Sequence, residues 1–248
     1  MKIPYLMDII RRVFFRKDIK RQKQVAQALE EFLQSFYLGE TLSTERAKAN
    51  LYAGLLEIVV EDQHIGGGLL VTSDGFFITA NHVLDYALKY KSCFVKLQDK
   101  KYEIERVCAS TEEKDMVLAK ANIPIDCESM IYKFFNSNKL DNCDSMPLNV
   151  IVRWDNTLIT EPGLYANALQ ADFNLDNRVH LKNNESIQFI HSLAKPGYSG
   201  SVICTPDFRL MGIVNGGLQV VELGAGIRIV KALEVVEAYK RNLQQNLK

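Results

Sequence analysis

From Leu56 onward the chain breaks into short runs rich in β-branched and aromatic residues, each closed by glycine, aspartate or asparagine, and this succession restricts the fold more than any other feature. The runs are residues 56–61, Gly67–Thr72, Phe76–Thr79, Cys93–Leu97, Met116–Ala119, Val150–Trp154, Ile187–His191, Val202–Cys204 and Leu210–Val214. Many short strands separated by turn residues predict a mainly β fold, an antiparallel sandwich or barrel.

The two ends read differently. Ile3, Leu6, Met7, Ile10, Val13 and Phe14 recur at the spacing of one helix face. A second helix is predicted from about Asp18 to Leu38, with Val25, Leu29, Phe32, Leu33 and Phe36 as its stripe and Gly39 as its stop. A third begins near Ser43 and includes Ala47 and Leu51. Helical spacing returns from about Val230 to Leu247 through Leu233, Val236 and Leu243. The expected organisation is therefore a helical extension over residues 1–50 and a β-rich body over 51–248 that ends in a helix.

At 248 residues the chain is long enough to bury a sizeable core, in one two-barrel domain or one domain with an appendage. Hydrophobic residues at 47% and charged residues at 24% suit a soluble globular protein. The net charge of zero gives no reason to expect nucleic acid as a partner. That balance hides an asymmetry: residues 1–23 hold Lys2, Arg11, Arg12, Arg16, Lys17, Lys20, Arg21 and Lys23 against Asp8 and Asp18, a net of +6. The basic helix has two readings. Its apolar stripe packs on the body with the charges solvated, or it is a docking surface for an anionic membrane or a partner protein.

The apolar runs are far shorter than the ~20 residues that span a bilayer, and Asp8, Arg11 and Arg12 interrupt the N-terminus, so no secretory signal is expected. Cys93, Cys108, Cys127, Cys143 and Cys204 are odd in number and form no CxxC pair. They read as free thiols in a reducing compartment, which points to a cytoplasmic location. His64, His180 and His191 lack metal-ligand spacing and read as surface or packing residues, with His191 near the cleft; no metal or other cofactor is expected. Trp154 reads as a core or strand residue.

Three segments carry chemistry together. Residues 66–83 are a glycine-rich run ending in a strand and His82; Asp115 leads directly into an apolar strand; Lys195-Pro-Gly-Tyr-Ser199-Gly-Ser is a tight turn before another strand. Alone, each has an ordinary structural reading. In the order His, Asp, Ser they match a nucleophile, its base and the acid that orients the base. A serine hydroxyl needs a base within hydrogen-bond reach. Imidazole suits that role near neutral pH, and a carboxylate fixes its tautomer. The glycines permit positive φ, so the N–H groups of Gly197 and Ser199 are candidates for stabilising an oxyanion.

These segments resemble the HtrA/Deg proteases of the trypsin/chymotrypsin-like superfamily. Residues 66–83 are similar to that group's Gly-x-Gly-x-x-Val-Ser-x-Asp-Gly-(Tyr/Phe)-x-x-Thr-x-x-His-Val, and Asp115-Met-Val-Leu-Ala-Lys to its Asp-Ile-Ala-Val-Leu-Lys. Gly197-Tyr-Ser-Gly-Ser stands where the superfamily has Gly-x-Ser-Gly-(Gly/Ser). Residues 211–217 and 224–230, with the closing helix, resemble its last strands. The likeness spans roughly residues 52–245 and lacks a following PDZ domain. It implies two antiparallel six-stranded β-barrels, the first over about 51–140 and the second over about 141–230, with a helix over 231–247. It also implies serine endopeptidase activity with His82, Asp115 and Ser199 as a catalytic triad in the cleft between the barrels, and a peptide or protein substrate.

The departures carry expectations too. Tyr198 stands where digestive members have an aspartate that pairs with a new N-terminal amine, so that activation is not expected. Val214 replaces the histidine that helps glutamyl endopeptidases bind glutamate. The resemblance sets Leu193 at the floor of the specificity pocket, beside Ala194, with Val214, Asn215 and Gly216 as the opposing wall. No carboxylate or cation lies among them, so cleavage after small or medium apolar residues is expected. The alternative is a catalytically silent peptide-binding or scaffolding protein on the same fold.

Overall fold

The structure is a computed structural model that describes residues 19–35, 39–90, 92–124, 130–136, 140, 145–166, 173–175, 179–181, 185–190, 195–218 and 223–247. Six strands form a first closed antiparallel barrel: β1 (Leu55–Val60), β2 (Gln63–Leu70), β3 (Phe76–Ala80), β4 (Cys93–Leu97), β5 (Lys100–Thr111) and β6 (Met116–Ala121), in the order β1-β2-β3-β6-β5-β4. The next strands in the chain are β7 (Pro147–Trp154), β8 (Thr157–Tyr165) and a separate hairpin, β9 (Phe173–Leu175) with β10 (Val179–Leu181). With β11 (Ser186–Ile190), β12 (Val202–Cys204), β13 (Leu210–Leu218) and β14 (Leu223–Arg228), strands β7 and β8 close a second barrel in the order β11-β14-β13-β12-β7-β8. Closure removes the exposed edges that open sheets must otherwise protect.

Each barrel has its own apolar filling. Leu56, Ile58, Phe77, Val95 and Val117 pack inside the first, and Val150, Val152, Ile187, Phe189 and Ile203 inside the second. A third cluster lies along the seam and joins the helices to both barrels. In it, Leu69, Phe76 and Ile78 of barrel one meet Ile151, Val202, Ile213 and Ile227 of barrel two. Helix α1, helical over residues 19–35, inserts Leu29 and Phe32, both fully buried. Phe32 meets Tyr132 and Phe134 edge-on at 6.0 and 6.4 Å. Val25, Leu29, Phe32 and Leu33 of the expected stripe thus pack into the body, and Phe36 lies outside the described residues. The more N-terminal stripe, and the membrane or partner surface expected there, lie outside the described residues.

Helix α2 (Thr44–Gly54) starts at the expected place, where the Ser43 hydroxyl accepts the N–H of Arg46. Gly39 opens a short 3₁₀ turn, Gly39–Thr41, with Tyr132 packed too close for any side chain. A short helix, α3 (Asn81–Ala87), follows β3 in barrel one. At the other end the single helix expected over 230–247 divides at Leu233 into α4 (Ile229–Ala232) and α5 (Glu234–Asn246). Strands β5, β8, β9, β10 and β14 lie outside the apolar runs. β5 is charged and largely exposed, so it has no apolar period to read. β8 contains Pro162-Gly163, which locally signals a turn. Among the described residues no helix is long and apolar enough to cross a membrane.

Candidate active site

Helix α3 continues from β3 without a loop, and its Val83, Leu84 and Ala87 are buried against barrel one. This packing fixes His82 in the first turn, with its side chain 42% exposed. Asp115 precedes β6 in a left-handed conformation, φ 50°, which aspartate tolerates better than most residues. The carbonyl of Asp115 accepts the N–H of Asn81 at 2.9 Å, so the turn is tied to the start of α3. Its carboxylate, almost fully buried, accepts the backbone N–H of His82 at Oδ1 (2.8 Å) and the His82 Nδ1–H at Oδ2 (2.6 Å). With Nδ1 donating, the proton of a neutral His82 sits there and the Nε2 lone pair is free to accept.

Ser199 belongs to barrel two but rests on barrel one. Its carbonyl accepts the N–H of Gly67 at 2.9 Å. A Cβ on Gly66 would stand 2.8 Å from that carbonyl and 2.6 Å from Val83, the neighbour of His82. The glycine run in β2 is therefore what lets the serine loop approach the histidine helix. Downstream, Gly200 N–H donates to Val214 O at 2.7 Å and Ser201 N–H to Tyr198 O at 3.0 Å. Upstream, Tyr198 is buried, and its hydroxyl donates to Glu161 at 2.6 Å. Burial and that carboxylate both push the Tyr198 phenol well above its usual range, so it stays neutral. A tyrosine–glutamate bond thus anchors the residue before Ser199. The N–H groups of Gly197 and Ser199 donate to no group among the described residues.

Asn215 joins the two halves. Its Nδ2 donates to Asp115 Oδ2 at 3.1 Å, its Oδ1 accepts the N–H of Ile227 at 3.0 Å, and its carbonyl accepts the Ser199 hydroxyl at 3.3 Å. The residue expected as a pocket wall has its side chain turned to the acid. Val214 is buried in the core of barrel two, and Gly216 is half-buried. Leu193 and Ala194, like His191, lie outside the described residues. His64 is not a bland packing residue: Nε2 lies 2.8 Å from Gly197 O, and its ring stacks on Trp154 at 4.3 Å. Its position two residues before Gly66-Gly67-Gly68 is the only sequence signal for that contact.

The described cysteines do not compete as nucleophiles. Burial pushes the Cys93 thiol up to about 11 and Cys204 to about 12, the latter aided by the charge of Asp207. Cys108 is also raised, chiefly by burial.

The chain shares the trypsin-like two-barrel fold with solved protease structures. One is Rv3671c from M. tuberculosis H37Rv, an inactive serine-to-alanine mutant, with TM-score 0.57 and 13% identity over 79% of this chain and 90% of that one. Another is the HtrA-type protease AlgW with a decapeptide, with TM-score 0.58 and 16% identity over 81% of this chain and 68% of that one. An inactive form of the Rv3671c protease gives TM-score 0.56 and 13% identity over 78% and 92%. No protein-family model matches the chain, and no curated protein matches it in sequence.

Proposed function

We propose that this chain is a serine endopeptidase that cleaves protein or peptide substrates through an acyl-enzyme intermediate. The observation that supports this above all is the bridge through Asn215. One residue accepts the Ser199 hydroxyl and donates to Asp115, which in turn holds His82. This bridge ties Ser199 to Asp115, and through it to His82, across sequence separations of 84 and 33 residues.

In this reading a rotation about χ1 exchanges the Asn215 carbonyl for His82 Nε2 as the acceptor of the Ser199 hydroxyl. Oγ attacks the substrate carbonyl carbon as its proton passes to Nε2. Asp115 stabilises the imidazolium and keeps Nδ1 protonated. The carbonyl oxygen, now an oxyanion, meets the N–H groups of Gly197 and Ser199. The C–N bond breaks as Nε2 returns its proton to the amine. Water, deprotonated by the same nitrogen, then attacks the acyl carbon, and Ser199 leaves with the proton.

The absence of charge at Leu193, Ala194, Val214, Asn215 and Gly216 supports cleavage after small or medium apolar residues. Free thiols at Cys93, Cys108 and Cys204 favour a reducing, cytoplasmic setting. The test is labelling with a fluorophosphonate probe and cleavage of a peptide library by the wild type, Ser199→Ala and His82→Ala. Each variant is expected to lose turnover by several orders of magnitude, about 10⁶-fold where the residues act as a unit. Near-native turnover in Ser199→Ala would sink the assignment, and a profile dominated by Arg, Lys or Glu before the cut would refute the pocket.

A further inference from the structure

We propose that His64, backed by Glu57, is a positioning residue that holds the Gly197 carbonyl and so aims the Gly197 N–H at the oxyanion. The inference rests on the endopeptidase reading above.

The loop needs such a hold. Tyr198 N–H donates to Lys195 O at 3.0 Å and closes a turn, with Pro196 second and Gly197 third at φ +91°. Proline second and a positive φ third are the marks of a type II turn. Types I and II differ chiefly by rotation of the central amide, here the Pro196–Gly197 unit that carries the Gly197 N–H. Nothing in the turn's closing hydrogen bond prevents that rotation, so the side on which the N–H stands must be set from outside the turn.

His64 supplies the restraint. It lies on β2 with its side chain only 4% exposed. A carbonyl can only accept, so the 2.8 Å contact with Gly197 O places a proton on Nε2, donating. The ring also walls the glycine: a Cβ on Gly197 would stand 3.0 Å from His64 Cδ2 and 3.0 Å from Trp154 Cζ3. The bond and the two rings together fix the downstream pivot about which the Pro196–Gly197 amide turns.

The other ring nitrogen explains why Glu57 is there. Nδ1 is buried without a hydrogen-bond partner and stands 3.6 Å from Glu57 Oε2, beyond hydrogen-bond reach. Glu57 is 1% exposed on β1 and is itself held by the N–H groups of Asp155 (3.0 Å) and Asn156 (2.8 Å). Those residues form the two-residue β7–β8 hairpin turn, both at positive φ (46° and 63°). The line of support therefore crosses from barrel two to Glu57 and His64 of barrel one, and back to Gly197 of barrel two. A hydrocarbon at position 64 could stack on Trp154 without leaving a bare buried nitrogen, which is costly. The bond to Gly197 is what the imidazole adds.

The experiment compares His64→Phe, which keeps a ring on Trp154 but has no donor, with His64→Gln, whose amide nitrogen can replace Nε2. His64→Met, similar in shape to glutamine but without a donor, replaces the phenylalanine variant if that one fails to fold. Each is measured for kcat, KM, thermal unfolding and affinity for a peptide aldehyde, whose adduct with Ser199 carries the oxyanion. Loss of an oxyanion donor outright costs about 10²–10³ in kcat, so misaiming one is expected to cost about 10–10². The donorless variants should lose that much in kcat and in aldehyde affinity with KM little changed, while His64→Gln stays within about fivefold of wild type. Donorless variants with wild-type kcat, or loss equal in His64→Gln and His64→Met, would overturn the positioning role and leave the endopeptidase standing. A wild type that neither labels nor cleaves would overturn the endopeptidase reading, and the positioning role with it.

Discussion

The two barrels hold their shares of the site by different means. Barrel one presents an imidazole–carboxylate pair, and the buried Asp115 carboxylate takes donors from His82 N, His82 Nδ1 and Asn215 Nδ2. Barrel two presents a neutral hydroxyl on a loop fixed mainly by backbone bonds, at Tyr198 N, Ser201 N, Gly200 N and the Ser199 carbonyl. A buried charge must be met by donors, whereas a neutral group needs only its backbone aimed. In both cases one support comes from the other barrel: Asn215 reaches Asp115, and Gly67 reaches Ser199. The seam, rather than either barrel, is the unit that sets the geometry.

The sharpest way to break the charged half is Asp115→Asn. Oδ2 accepts two donors and Oδ1 accepts a third, so an amide must turn its NH₂ toward at least one N–H. Either the NH₂ faces the His82 backbone, or His82 moves its proton to Nε2 and loses the lone pair that serves as base. A loss in kcat of about 10⁴ is expected, as for the corresponding change in the triad template. Activity within tenfold of wild type would show that the carboxylate does not set the tautomer.

What the sequence reveals follows the same division between local and distant. Strands with β-branched runs are local patterns, as are His82 after β3, Asp115 before β6 and the Gly197–Gly200 turn, and these are legible. β5 is not, because Lys100, Lys101, Glu103, Glu105 and Arg106 hide its period. β8 is not, because Pro162-Gly163 mimics a loop. The tie from Asn215 to Asp115 spans 100 residues and that from His64 to Gly197 spans 133, and side-chain contacts at such separations leave no local trace. Glu57 leaves one: it is the only charged residue in β1, a strand buried at every position. A lone charge in an otherwise apolar strand must have partners when that strand is buried, and its presence marks a polar network.

Gly66→Ala tests the neutral half. The new methyl would meet Ser199 O at 2.8 Å and Val83 at 2.6 Å, so the serine loop or α3 must shift. Overpacking of this kind costs about 1–3 kcal/mol. A displacement near 1 Å between nucleophile and base lowers kcat on the order of 10²-fold. The comparison predicts that activity suffers far more than stability, since only the seam moves. A large loss of thermal stability with kcat intact would place the strain elsewhere.

The smallest expected effect is that of Glu57→Gln, and it distinguishes a charge from a hydrogen-bond acceptor. Burial alone raises the Glu57 carboxyl, but His64, the N–H groups of Asn156 and Asp155, and the charge of Lys96 outweigh it and hold the pKa below its ordinary 4.5. A carboxyl depressed in the folded state contributes stability that is fully present above the unfolded value and is lost as pH falls through the folded one. The difference between wild type and variant should therefore be constant from neutrality down to the ordinary value of 4.5 and shrink below it. Glutamine also sets an NH₂ against one of the turn N–H groups, which adds about 1–3 kcal/mol of loss at every pH. Thermal unfolding of both proteins across an acid titration separates the two contributions. A gap that does not narrow in acid would assign Glu57 to hydrogen bonding alone, and one that widens would reverse the sign argued for its charge.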